Sequence, residues 1–319
     1  TAAVLPLSPV KIHLLSGFLG AGKTTAIEQA VKFLQKQNTP VAVVTNDQGI
    51  SLVDGQRISH LNIPTAEVTG GCFCCNYNTL EANIRTLTTA RLLFAESVGS
   101  CTDLIATVLK PLLDQHPEWQ PTVSIFADAR ELDNSSVHPS VRYIYEKQLE
   151  EAQVLVITRS ESFSPQWKQQ LKARFPDKSI LFHDSYDESD IRRWLDTLET
   201  LPAQPKLPSL EIDYDIYAEG EARLAWLDQQ LAIDSQPAAD HLMKTIEKKL
   251  ENYPVRRLKF WSTPSTLLIN ARVQTDPQTL SQLVAGAIAE TNARYNANLR
   301  TLTHQAFQPG YPRPQHRMA

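Results

Sequence analysis

The sequence has 319 residues, 42% of them hydrophobic and 21% charged, with a mean hydropathy of -0.28, which points to about two ordinary globular domains with a real core. The formal net charge is -4 with no dense Lys/Arg block, which argues against nucleic acid or an anionic membrane surface as partner, and no apolar run approaches the ~18 residues of a membrane span. Of the four cysteines, Cys72, Cys74 and Cys75 fall within four positions and Cys101 stands apart, a spacing that suits a reduced thiolate site better than a disulfide framework. Residues 1–10 show no basic segment followed by an apolar one, so no signal peptide is expected, and Thr1 in place of Met is read as a processed or trimmed start. A cytoplasmic location follows as the expectation.

In chain order, short apolar runs alternate with amphipathic stretches, the pattern of an α/β domain with a largely parallel sheet. Residues 11–16 (KIHLLS) are predicted as a strand and 24–37 as a helix, with Ile27, Ala30, Val31 and Leu34 on one face. Further strands are predicted at 40–45, 91–96, 123–127, 154–158 and 179–183, then a helix at 191–198. Residues 201–210 (LPAQPKLPSL) read as an extended linker between a first domain (1–200) and a second (210–319), with 201–209 as the link. The second domain is predicted as strand 210–218, helix 237–251, strands 255–261 and 266–273, helix 277–295 and strand 299–307, a β-α-β-β-α-β order that implies a ferredoxin-like α+β fold. The Pro-rich tail 309–319 is expected to be poorly ordered.

The strongest chemical signal is Gly17-Phe18-Leu19-Gly20-Ala21-Gly22-Lys23-Thr24, which matches G-x-x-x-x-G-K-[ST] at every fixed position, after a predicted strand and opening a predicted helix. Glycines let successive N–H groups turn inward as an anion nest, and the helix N-terminus adds its positive dipole end. The backbone of Gly20, Ala21, Gly22, Lys23, Thr24 and Thr25 is expected around the phosphates. The Lys23 ammonium would lie on the β- and γ-phosphates and the Thr24 hydroxyl on Mg²⁺. The bland alternative is a glycine-rich turn without a ligand. Asp47, in Asn46-Asp47-Gln48-Gly49, and Glu96, in Glu96-Ser97-Val98-Gly99, follow predicted strands, where ligands bind at the carboxyl edge of such sheets. Their carboxylates could hold Mg²⁺ or orient a water, and Gly99 could admit a γ-phosphate. Otherwise they are turn and cap residues.

Gly70-Gly71-Cys72-Phe73-Cys74-Cys75 offers soft thiolate ligands for Zn²⁺ and its neighbours. A turn at the paired glycines could bring Cys72, Cys74 and Cys75 together into an open, exchangeable site; the alternative is small buried thiols. Cys101 could complete a metal site, but is read first as a buried thiol at a helix start.

Four segments, the loop at residues 17–25, Asn46–Gly49, the Gly-Gly-Cys-x-Cys-Cys run and Glu96–Gly99, resemble in order and spacing the CobW/HypB/UreG group of P-loop GTPases, nearest its CobW-like branch with a C-x-C-C motif. The resemblance covers about residues 10–201. It implies GTP hydrolysis with Mg²⁺, linked to inserting zinc, cobalt or nickel into client metalloproteins, and a nucleotide-dependent homodimer. Where the family reads guanine with N-K-x-D, this chain has Thr158-Arg159-Ser160-Glu161. Glu161 keeps a carboxylate for the base and Arg159 could stack on it, while Thr158 replaces the amide, so GTP and ATP both stay open. Asp47 stands where CobW-like members usually carry Glu, a shorter reach. A metal-sensing module with little hydrolysis and a small-molecule kinase are the competing readings. His60, His116 and His183 are scattered and not read as ligands. Lys248, Lys249, Arg256, Arg257 and Lys259 are read as a solvated face, and Tyr214, Tyr217, Phe260 and Trp261 as second-domain core.

Overall fold

A computed structural model describes residues 10–49, 53–132 and 134–319. Residues 1–9, on which the expected absence of a leader mostly rests, lie outside the described residues. Seven strands, β1 (Lys11–Ser16), β2 (Val41–Asn46), β3 (Thr65–Val68), β4 (Leu92–Glu96), β5 (Gln120–Asp128), β6 (Val154–Thr158) and β7 (Ser179–His183), form one all-parallel sheet in the order β3-β2-β4-β1-β5-β6-β7. This is the P-loop NTPase fold the sequence predicted. Central strands such as β2 (VAVVTN) and β6 (VLVIT) are buried at every position, as a sheet covered on both faces requires.

One face packs under α1 (Lys23–Lys36) and α7 (Glu188–Glu199), around Ile27, Val31, Phe94 and Trp194. The other face packs under α3 (Tyr77–Thr86), α5 (Pro139–Glu151) and α4 (Lys110–Gln115), which a π-helical turn at Ile105–Leu109 precedes. The helices α3, α4 and α5 were not placed from the sequence, and neither were two short elements. The short ones are α2 (Val53–Ser59) and β3, whose four residues bury only Val68 fully and carry little periodic signal. The remaining first-sheet helix, α6 (Pro165–Arg174), buries only Leu171. No helix among the described residues is long and apolar enough to cross a membrane.

The second sheet is antiparallel, in the order β11-β8-β10-β9, and α9 (Gln236–Lys249) and α10 (Pro277–Tyr295) cover one face. Its strands are β8 (Leu224–Ala232), β9 (Arg256–Ser262), β10 (Thr266–Gln274) and β11 (Arg300–Phe307), so the ferredoxin-like order β-α-β-β-α-β holds. Its opening strand was misplaced. Residues 210–213 are irregular, and α8 (Tyr214–Ala222) follows, capped by Asp213, whose side chain accepts from the amides of Asp215 and Ile216. The true first strand, LAWLDQQLA, hides Asp228 and Gln229 as well as Leu227 and Leu231, so hydropathy does not alternate along it.

Two further expectations are corrected. The tail 309–319 is docked: Gln315 N donates to Cys74 O at 2.9 Å, Met318 N to Ala106 O at 2.9 Å, and Arg317 pairs with buried Asp103 at 2.8 Å. Tyr217 and Tyr214 belong to the seam between the two sheets, not to the second core alone. Tyr217 Oη accepts from Thr102 N at 3.3 Å and Tyr214 Oη donates to Asp103 at 2.6 Å. Trp261 stacks on His60 with centroids 4.9 Å apart, while Phe260 packs into the second core as expected.

Two predictions come from this packing. Gly17 has φ +128°, and a Cβ there would lie 2.0 Å from the Phe126 carbonyl oxygen. Gly17→Ala should therefore cost about 3 kcal/mol or more in chemical denaturation, and a loss under 1 kcal/mol would contradict this geometry. On α8, burial lifts the Glu221 carboxyl from 4.5 to about 8. The folded protein then holds a proton that the unfolded chain releases, so this stabilisation is complete below the unfolded value and is lost as pH rises through about 8. Relative to wild type, Glu221→Gln should gain stability in urea denaturation between about pH 5 and pH 8 and level off above. A pH-independent difference would refute the raised value.

Candidate functional site

The loop between β1 and α1 takes its shape from three positive-φ glycines, Gly17, Gly20 and Gly22. Gly22 caps α1, and Ala21 N donates to Phe18 O at 3.1 Å. Lys23 and Thr24 open the helix, both buried. Lys23 Nζ folds back on Gly17 O at 2.7 Å, and burial is the main cause that lowers its pKa from 10.5 to about 8. Thr24 Oγ1 donates to Glu96 Oε1 at 2.8 Å, and Glu96 Oε2 is buried without a protein partner. Burial, with Asp54 nearby, raises the Glu96 pKa. The hydroxyl, the carboxylate and the spare oxygen converge at one point. That donor set fits a hard divalent cation such as Mg²⁺.

Asp47 reaches the same cavity but does not stand open. Arg272 of β10 holds both its oxygens, at 3.1 and 3.3 Å, and Oδ1 also accepts from Gly49 N at 3.0 Å. Arg272 in turn pairs with Asp228 at 2.7 Å and lies 4.1 Å from the Trp226 ring centroid. Gly99 lines the cavity, and a Cβ on it would come within 3.0 Å of the Leu19 backbone, so this glycine lets the loop after β4 lie directly on the phosphate loop. The cavity enclosed by Lys23, Asp47, Asp54, Glu96, Arg257, Lys259 and Arg272 measures about 50 Å³, room for a phosphate group but not a nucleoside.

A second cavity, of about 310 Å³, opens beside it between Gly22, Thr25, Thr158, Arg159, Glu161 and residues 183–186. Thr158 Oγ1 donates to Ala21 O at 3.0 Å, tying this wall to the phosphate loop. Arg159, at φ +54°, does not lie free over the cavity as expected for stacking. Its guanidinium is anchored on Gly20 O at 2.9 Å and Asp128 at 2.8 Å. Glu161 is exposed at the rim. Sequence reasoning missed Asp128, Ser185 and the wall formed by His183, although both segments follow strand ends, where such crevices form.

The thiols gather as a turn requires. Cys75 N and Asn76 N both donate to Cys72 O, at 3.1 and 3.0 Å, after Gly70 and Gly71 at φ +75° and +158°. The sulfurs of Cys72 and Cys74 lie 2.7 Å apart, and those of Cys75 lie 3.4 and 3.7 Å from them. All four cysteines are free thiols. For Cys101 the geometry favours the alternative that it joins the metal group over a merely packed thiol. Its sulfur is 4.0 Å from that of Cys74, and Cys72, Cys74 and Cys101 form the buried group whose sulfurs lie within 4.8 Å of one another. Cys75 is half-buried at the edge, under Arg313 N of the tail at 3.3 Å. Sulfur donors from Cys72 and Cys74 draw Cys101 down to about 6, while Cys75 is pushed up to about 11 by its bond to Cys72, so the cluster favours a single thiolate. Tetrahedral zinc at 2.3 Å from sulfur needs sulfurs about 3.8 Å apart. The present spacings bracket that value, with the Cys72–Cys74 pair needing to open.

Asn46, also missed, joins the two sites: its Nδ2 donates to Val68 O at 2.9 Å and to Gly71 O at 2.7 Å. None of the three scattered histidines lies in the thiol group. His116 stacks on Trp119 and bonds Glu81 at 2.7 Å, and His60 faces Trp261. The supposed solvated basic stretch divides: Lys249 pairs with Glu290 on the surface, whereas Arg257 and Lys259 point into the phosphate cavity.

The profile of the CobW/HypB/UreG nucleotide-binding domain matches residues 11–178. The zinc chaperone YeiR of Escherichia coli K12 is 26% identical over 168 residues, 51% of this chain and 50% of YeiR. The zinc chaperone YjiA of the same organism is 36% identical over 70 residues, 22% of this chain and 21% of YjiA. The chain thus spans no more than about half the length of these curated relatives. Hydrogenase maturation factor HypB of Archaeoglobus fulgidus aligns over 60% of this chain and 90% of its own, at 19% identity and a TM-score of 0.45. The profile match covers more than half of the 319 residues and takes in the phosphate loop, the C-x-C-C turn and the Glu96–Gly99 loop, so the chain belongs to the CobW/HypB/UreG family.

Proposed function

We propose that this protein is a metal-handling P-loop GTPase that takes up zinc on its buried thiols and couples hydrolysis to passing the metal to a client apo-metalloprotein. One observation carries the reading. Within six residues the loop after β4 runs from Glu96, bonded to Thr24, past Gly99, laid on Leu19, to Cys101 in the thiol group. A change at the γ-phosphate therefore moves a sulfur through a short covalent path, the differential contact that coupling between two sites needs. The kinship with zinc chaperones supports zinc as cargo, and the thiol chemistry agrees. Residues 1–200 act as the nucleotide unit, joined through 201–209 to a second unit, 210–319, that closes over it.

Catalysis in this reading is positioning and charge neutralisation. Mg²⁺, when bound, would be held by Thr24 with Glu96 and would neutralise phosphate charge there. Lys23 exchanges Gly17 O for the phosphates. Water adds to the γ-phosphorus as the bond to the β-bridging oxygen breaks, giving GDP and inorganic phosphate. Glu96 is the better candidate to order that water, since Arg272 already occupies Asp47. The base enters the 310 Å³ cavity against Thr158 and Arg159, within reach of Glu161. The hold of Arg272 on Asp47 also favours a second reading, a zinc-responsive switch that binds nucleotide with little turnover.

Lys23→Ala should abolish multiple turnover of GTP, at least about 100-fold, with the fold intact by circular dichroism; unchanged turnover would sink the assignment. Calorimetric titration of reduced protein with GTP and with ATP, before and after one equivalent of Zn²⁺, should show tighter GTP binding that shifts with zinc. Binding without any multiple turnover would select the switch, and sedimentation in the same buffers reports whether nucleotide pairs two chains. For the metal, Cys72→Ser and Cys101→Ser should each weaken Zn²⁺ at least about tenfold against a chromophoric chelator, and Cys75→Ser less. Equal weakening by Cys75→Ser and none by Cys101→Ser would return the site to the C-x-C-C turn alone.

A further inference from the structure

The second sheet turns an unusual face toward the phosphate loop. Strand alternation sends Leu258 and Phe260 of β9 into the helix-covered core and Arg257, Lys259 and Trp261 the other way. Register continues the pattern: Arg272 lies between Trp226 and Arg257, and Asn270 between Asp228 and Lys259. A sheet face that presents two arginines, a lysine and two amide or acid side chains to another domain is expensive to bury unless each charge has a partner. Most do. Arg272 has Asp228 and Asp47, Arg257 has Glu131 at 2.9 Å, and Asn270 accepts from Val53 N at 2.9 Å.

Lys259 is different in kind. It pairs with Asp54 on α2, yet Asp54 keeps a buried oxygen with no protein partner, and Lys259 is close enough to Lys23 to help lower that residue's pKa. Two ammonium groups thus converge on one 50 Å³ cavity that also holds Arg257 and Arg272, four cations against the carboxyl groups of Asp47, Asp54 and Glu96. Arg257 crosses the phosphate loop itself, donating to Leu19 O, and a Cβ at Gly20 would lie 2.1 Å from its Nε. Like charges gathered this way are relieved by a multiply charged anion seated between them.

We propose that β9 completes the polyphosphate site: Lys259 leaves Asp54 for the terminal phosphate of a bound nucleoside triphosphate, while Arg257 keeps the sheet clamped on the loop. The nucleotide site is then built from both units of the chain, and Lys259 reads whether a third phosphate is present. Asp54 freed by this exchange is the signal carried onto α2. The inference rests on the nucleotide-binding reading given above and adds a ligand that the phosphate-loop motif does not contain.

The test is calorimetry with GTPγS–Mg²⁺ and with GDP–Mg²⁺ on the full chain. Lys259→Met should weaken GTPγS by about tenfold to a hundredfold while changing GDP less than about threefold. Lys259→Arg should recover part of the loss. Asp54→Asn, which frees Lys259 without removing it, should leave GTPγS binding unchanged or tighter, and thermal unfolding of each variant checks the fold. An equal loss for both nucleotides, or no loss for either, overturns the proposal. Wild-type protein that binds neither nucleotide would instead overturn the underlying functional reading.

Discussion

The hydrogen bond from Thr24 to Glu96 is the constraint on which the rest of the site depends. It ties the first turn of α1 to the end of β4, neighbours across β1 in a parallel sheet, and so fixes where the loop after β4 begins. From that anchor the chain has little freedom. Gly99 must pass over Leu19 with no side chain in the way, and Gln148 of α5 then accepts the loop by donating to the carbonyls of Gly99 and Cys101 at 3.1 and 2.8 Å. Cys101 reaches the other three thiols as a result of this path. A lost bond at Glu96 would loosen the sulfur of Cys101, five residues along the chain, without altering any thiol.

The thiol turn is held from the nucleotide side as well. Asn46 ends β2 and binds the backbone of Gly71, the residue before Cys72, so β2 as well as its neighbour β4 reaches the cluster. From outside, the tail 309–319 lies across Cys74 and Cys75, and Glu221 of α8 accepts from Ser100 at 2.7 Å and from Gln48 at 3.1 Å. Carboxylates buried this deeply are kept where they are by hydrogen bonds to both loops at once. The second half of the chain is therefore part of the architecture of both sites.

Much of the first sheet was legible because parallel strands covered on both faces read as continuous apolar runs, and because the phosphate-loop motif needs particular residues at fixed offsets. The second half was legible only in outline. Its helices and inner strands carry ordinary periodicity, but β8 buries Asp228 on an outward face that meets charged groups, and Gln229 on the same side as Leu227 and Leu231. For the same reason Arg257 and Lys259 look like a solvated stretch in sequence, and the ion pairs that bury them join residues more than 100 positions apart. Cys101 was ranked as a packed thiol first on similar grounds: spacing finds ligands that are neighbours in the chain, whereas its place in the cluster comes from a loop folding over another loop. The docked tail was missed because Pro-rich composition says nothing about a receiving groove.

The makeup of that outward face also decides how the crevice meets water. Among the described residues, Leu224, Trp226, Val255 and part-buried Phe307 carry the second sheet into the first core. Elsewhere the seam mixes guanidinium, ammonium, amide and carboxylate groups with the rings of Tyr214, Tyr217 and Trp261, so parting it exchanges ion pairs for hydration as well as exposing aromatic surface. Its openness answers to ionic strength, because mobile ions screen partly hydrated pairs far more than they disturb apolar contacts.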